Sequence, residues 1–116
     1  MRTLLFSEPR VRRLLTPDLA IDAVEKGFRW LGEDRIPRPG TMGIPVEGGG
    51  FHVKAGAGEG SFTVKINGNF PGNPVRFGLP TIQGLVALFD ARDGRLLAIM
   101  ESGAITALRT AAATAV

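Results

Sequence analysis

With 116 residues, 44% of them hydrophobic and 22% charged, the chain has enough apolar material for one folded domain and too much for a disordered one. It has no cysteine, which excludes disulfide staples and thiolate metal sites, and apolar runs such as residues 85–89 are far too short to cross a bilayer. A net charge of +3 and a pI near 10.2 suit a nucleic-acid partner by magnitude alone, but the basic residues are scattered apart from Arg10, Arg12 and Arg13, Glu8 and Asp18 lie beside that cluster, and no nucleic-acid-binding motif is present.

Residues 3–6 read as a short strand, and Ser7 is placed to cap a brief helical stretch reaching residue 15. Pro9, Arg10, Arg12 and Arg13 interrupt any apolar core of a secretory signal, so the chain reads as soluble and cytoplasmic. Thr16-Pro17-Asp18 is a stronger helix start: an N-cap hydroxyl, proline at the first helical position and an acid near the positive end of the dipole. Ala20, Val24, Phe28 and Leu31, with Ile21 beside them, repeat at helical spacing up to Gly32, which predicts an amphipathic helix packed on a flat surface.

Residues 36–50 are rich in proline and glycine and read as a loop. Pro37 and Pro39 hold the backbone around Arg38 extended, so Arg38 is either an exposed arginine in a stiff loop or a positioned one. The pattern then changes to strand at 51–57 and 61–70, with a glycine-rich turn between. Alternation puts Phe62, Val64 and Ile66 on one face and Thr63, Lys65 and Asn67 on the other. The turn Gly56-Ala57-Gly58-Glu59-Gly60 fails as a dinucleotide fingerprint, because a strand follows where a helix N-terminus is needed. Asn69-Phe70-Pro71-Gly72-Asn73 is a further turn signal, either an elbow at the sheet edge or a pocket wall.

Two nearly apolar strands follow at 81–90 and 95–101, joined through Asp93-Gly94. Each needs cover on both faces, more than the helices of this chain readily supply, which implies a partner subunit or further domain. A helix from about Gly103 carries Ile105, Leu108, Ala112 and Val116 on one stripe with small alanines elsewhere, suited to close packing. Its Arg109 would be costly to bury unless it met an anion. The chain reads as part of a small-molecule site.

KINGNFPGN at 65–73, GLPTIQG at 78–84, LFDARDGRLL at 88–97 and ITALRTAA at 105–112 together resemble the ornithine cyclodeaminase and mu-crystallin family, whose members bind a nicotinamide dinucleotide. Long motifs in the right order make the resemblance specific, and it spans most of the chain. It implies an α+β fold: a mostly antiparallel sheet backed by the N-terminal amphipathic helix and ending in the alanine-rich helix, residues 1–116 forming one substrate-binding and dimerisation domain. The resemblance also implies a homodimer through the sheet, and a following Rossmann domain, absent from these residues, that would hold NAD or NADP.

Carried over residue by residue, the resemblance puts the substrate-carboxylate ligands on Arg38, Lys65 and Arg109, gives Lys65 a further catalytic role in polarising the reacting carbon or moving a proton, and turns Thr110 toward the nicotinamide end of the cofactor. Guanidinium groups grip carboxylates through parallel hydrogen bonds, which makes the assignment chemically reasonable. The plainer readings are a helix cap or interface ion pair for Arg109 and a solvated strand face for Lys65. In family members that use ornithine, a carboxylate near the start of the strand at 51–57 is expected to meet the terminal ammonium; here His52 and Lys54 stand there, and a second cation repels ornithine.

Two functions follow. One is the substrate and dimerisation portion of a nicotinamide-dependent cyclodeaminase, imine reductase or amino-acid dehydrogenase acting on an amino or imino acid. The other is a free-standing, non-catalytic binding or dimer-scaffold module. In both, these residues alone are expected to transfer no hydride, because none of them is suited to the adenine half of a dinucleotide.

Overall fold

The computed structural model describes residues 2–115. In chain order the elements are β1 (Leu4–Phe6), α1 (Glu8–Leu14), α2 (Pro17–Gly32), β2 (Gly40–Val46), β3 (Gly49–Gly58), β4 (Ser61–Asn69), α3 (Asn73–Phe77), β5 (Ile82–Asp90), β6 (Leu96–Glu101) and α4 (Ser102–Ala115). The strands form one six-stranded sheet in the order β1-β6-β5-β4-β3-β2, antiparallel throughout except where β1 runs parallel to β6. The fold is the expected α+β arrangement.

Three hairpins build most of the sheet. The β3–β4 turn is only Glu59 and Gly60, both at positive φ (44° and 81°), the backbone twist that matches two antiparallel strands. Gly58, expected in the turn at 56–60, therefore belongs to β3 together with residues 56 and 57 of the expected strand. The β5–β6 connection is clamped by Asp90, which is 5% exposed and accepts from the Arg92 backbone N–H at 2.8 Å and from the Arg92 guanidinium at 2.8 and 3.1 Å. The Arg92 side-chain bonds, followed by the backbone bond, hold the Asp90 carboxyl well below the usual carboxylate range.

Two elements lie where a loop or turn was expected. Strand β2 falls within the proline- and glycine-rich stretch at 36–50; it is an edge strand, where Pro45 is tolerated because one side of the backbone needs no ladder partner. Helix α3 follows Pro71-Gly72, starts with Pro74 at its first turn and stops at Gly78, which takes the left-handed conformation at φ 65°.

Helices α1, α2 and α4 sit on one side in two tiers. Helix α4 lies on β5, and α2 packs across α4. Thr16 caps α2 by accepting from the Leu19 N–H at 3.3 Å. Its N-terminal half is the part that buries: Ala20 is buried, and Pro17 and Ile21 meet Leu108, Ala111 and Ala112 of α4. The small alanines are what allow that approach. Phe28 and Leu31, expected on the buried stripe, are instead 51% and 58% exposed, because the C-terminal half of α2 turns Trp30 toward Gly58 of β3. Val116 of the expected α4 stripe lies outside the described residues.

The opposite face of the sheet is not covered by α1, α2 or α4. Register places Leu5, Ile99, Ala87, Val64 and Ala55 in one row across it and Leu85, Ile66, Val53 and Met42 in the next. Leu5, Met42, Ile44, Phe51, Phe62 and Ile66 are all exposed on this side. Among the described residues no helix is long and apolar enough to cross a membrane.

Candidate functional site

The helix-side face of β2 to β5 has the opposite character. Lys54 of β3 is the direct cross-strand partner of Lys65 of β4, and His52 is the partner of Asn67, so all four side chains emerge on the face that α4 overhangs. Asn69 extends the β4 series at the same period and pairs with Ile82. On α4, Thr106 and Arg109 lie three residues apart and so share a helix face. Strand and helix together enclose a cavity of about 480 Å³ whose lining includes His52, Lys54, Lys65, Asn69, Thr106 and Arg109. A neighbouring cavity of about 310 Å³ shares Lys54, Lys65, Thr106 and Arg109 and reaches Pro39.

Two buried contacts hold this arrangement. Ser102, fully buried at the start of α4, donates from Oγ to Asn67 Oδ1 at 2.7 Å, which pins the helix to the strand bearing Lys65. Gly84 lies opposite Asn67, where a Cβ would overlap the Ile66 carbonyl and the Asn67 side chain; only glycine allows the strands to close with that amide in place. Glu101 caps α4 by accepting from the Gly103 N–H at 2.6 Å and the Ala104 N–H at 3.4 Å, so its charge is used at the helix end.

The cavity is electrostatically incomplete. Neither of the two cavities has an acidic residue in its lining. Among the described residues none of Lys54, Lys65 and Arg109 forms an ion pair. Burial, followed by the Arg109 and Lys54 charges, lowers the Lys65 pKa from its ordinary value. The site also holds unused hydrogen-bonding capacity: Asn69 Oδ1 and Thr106 Oγ1 are buried without a partner. Buried polar atoms are nearly always satisfied, so two such atoms on residues lining one cavity are an exception to the packing of this domain.

Of the residues expected from sequence, Lys65 and Arg109 come together here, with His52 and Lys54 beside them. Arg38 is exposed in the segment between α2 and β2, outside both linings but one residue before Pro39, which lines the smaller cavity. Thr110 is exposed on α4, next to Arg109 and outside the lining. Asn69 was anticipated only as part of a segment that is either an elbow or a pocket wall, and it lines the cavity; Thr106 was not anticipated. The signals for them were available: Asn69 continues the alternation of Lys65 and Asn67, and Thr106 precedes Arg109 by one helical turn.

The strand-and-helix wall thus turns cations from β3, β4 and α4, unpaired among the described residues, into one cavity. The chain belongs to the ornithine cyclodeaminase/mu-crystallin family, whose model matches residues 1–116. It is 33% identical over 113 residues to the alanine dehydrogenase of Archaeoglobus fulgidus, covering 97% of this chain and 35% of that protein. Its fold is similar to that of an archaeal alanine dehydrogenase dimer with bound NAD, at a TM-score of 0.93 and 33% identity, covering 97% of this chain and 35% of that one. It is also similar to Thermococcus litoralis Δ1-pyrroline-2-carboxylate reductase in complex with NADH and L-proline, at a TM-score of 0.85 and 28% identity over 97% of this chain and 36% of that one. The chain spans about a third of the length of these relatives.

Proposed function

We propose that this chain forms one domain that supplies the substrate wall of an NAD- or NADP-dependent cytoplasmic enzyme acting on an amino or imino acid, and that it pairs with a second copy through the open apolar face of its sheet. The observation that carries the reading is the single cavity in which Lys65 and Arg109 face the buried, unpartnered Asn69 Oδ1 and Thr106 Oγ1. Lys65 and Arg109 take the substrate carboxylate, the guanidinium through paired hydrogen bonds. Arg38 closes over it from the rim. Asn69 Oδ1 accepts from the substrate N–H, which distinguishes an amino or imino acid from a plain carboxylate.

Lys65 has a second task in this reading. Its proton is held less firmly than that of an ordinary lysine, which suits it to proton transfer at the substrate nitrogen. A nicotinamide supplies the hydride chemistry when bound, and Thr110, exposed beside Arg109, faces that end of the cofactor. The described residues form no dinucleotide cradle: the glycine-rich turn at 56–60 joins two strands and opens no helix. The chain's own part is therefore to bind, orient and hold a proton.

The test is an NMR titration of the labelled chain with L-alanine, L-proline and propionate. Shifts at Lys65, Asn69, Thr106 and Arg109 that saturate with the amino acids at lower concentration than with propionate support the reading. Absence of shifts at these residues up to the solubility limit of all three ligands sinks it.

A further inference from the structure

The site holds more positive charge than one carboxylate neutralises. We propose that the groove is built for an amino or imino acid with a second carboxylate, and that Lys54 is the ligand for that second group; this rests on the substrate-wall reading above.

Lys54 and Lys65 are directly opposed in the β3–β4 ladder, an arrangement of like charges that destabilises a sheet when nothing lies between them. Both line both cavities together with Arg109, and no acid lines either. Glu101 and Asp90, the acids that bound β6 and β5, are engaged at the α4 cap and by Arg92. Three cations thus converge with no counter-charge among the described residues. Lys65 and Arg109 suffice for one carboxylate; Lys54, on the neighbouring strand and more exposed, remains for another. The same charge disfavours a substrate with a distal ammonium, because Lys54 lines the cavity and no acid does.

The experiment measures affinities of the chain for succinate, propionate and inorganic phosphate at one pH and ionic strength. Succinate is expected to bind at least about tenfold more tightly than propionate, about 1.4 kcal/mol. Lys54→Gln is expected to bring the succinate-to-propionate ratio to about one, Lys54→Arg to keep the preference, and Arg109→Ala to weaken both ligands. Equal binding of succinate and propionate by the unaltered chain overturns the second-carboxylate proposal and leaves the substrate-wall reading standing. Phosphate binding more tightly than succinate also overturns it, since the cations would then serve a compact dianion such as a cofactor phosphate. If neither carboxylate binds to the folded chain, the carboxylate cradle itself fails, and this proposal with it.

Discussion

Strand β4 presents Phe62, Val64 and Ile66 to one side and Lys65, Asn67 and Asn69 to the other, and the two sides differ in what they lack. The apolar side lacks cover: six large side chains from four strands remain exposed there. The polar side lacks counter-charge and hydrogen-bond partners, although helices partly roof it. Each deficit specifies its remedy. A broad apolar surface is completed by a large apolar partner, and a small cationic cavity by a small anion. Because side chains alternate along the same strand, the two surfaces are separate in chemistry but share one backbone.

Gly84 is where both sides can be broken at once. A Cβ there meets the Ile66 carbonyl and the Asn67 side chain together, so Gly84→Ala is expected to cost more than about 3 kcal/mol and to abolish cooperative unfolding in urea. An unchanged urea midpoint would mean that the strands separate freely at this point.

Substitutions on either side of β4 sharpen the contrast. Ile66→Asp places a charge on the apolar face and is expected to weaken self-association by more than about 100-fold in sedimentation experiments, while carboxylate binding persists. Arg109→Ala should do the reverse, weakening carboxylate binding by roughly 10- to 100-fold, the worth of a charge-assisted hydrogen bond, and leaving association intact. Loss of both properties in either variant would end the claim that the faces act separately.

The smallest expected effect is a pH dependence. Lys65 faces Arg109 from α4 and Lys54 from β3, with His52 also in the lining, and burial followed by the Arg109 and Lys54 charges lowers its pKa. The folded chain therefore binds fewer protons than the unfolded one between the lowered and the ordinary lysine value, and stability rises with pH across that window. Carboxylate affinity runs the other way. It is full while Lys65 is charged and falls as pH rises through the lowered value; Lys65→Arg should delay that fall. Affinity that stays flat up to the ordinary lysine range would contradict the shift.

Much of this organisation was legible in the sequence because it depends on local rules. Period-two alternation placed Lys65 opposite Val64 and Ile66, and Thr16-Pro17-Asp18 marked the start of α2. What escaped depended on neighbours. Strand β2 has glycine and proline in place of β-formers and exists because β3 offers it a ladder. The exposure of Phe28 and Leu31 follows from where α4 lies under α2, which no periodicity within α2 encodes. Asn69 fell in both the strand expected at 61–70 and the turn signal at 69–73, and its pairing with Ile82 decides for the strand.

The Ser102–Asn67 hydrogen bond has a mechanical consequence. It fixes α4 at its first residue, and Arg109 sits about two turns, roughly 10 Å, along the shaft from that pivot. A tilt of about ten degrees would carry the Arg109 backbone by roughly 2 Å while Lys65, on the sheet, stays still. The gap between the two cations is thus a lever output, set by the angle at which α4 meets the sheet.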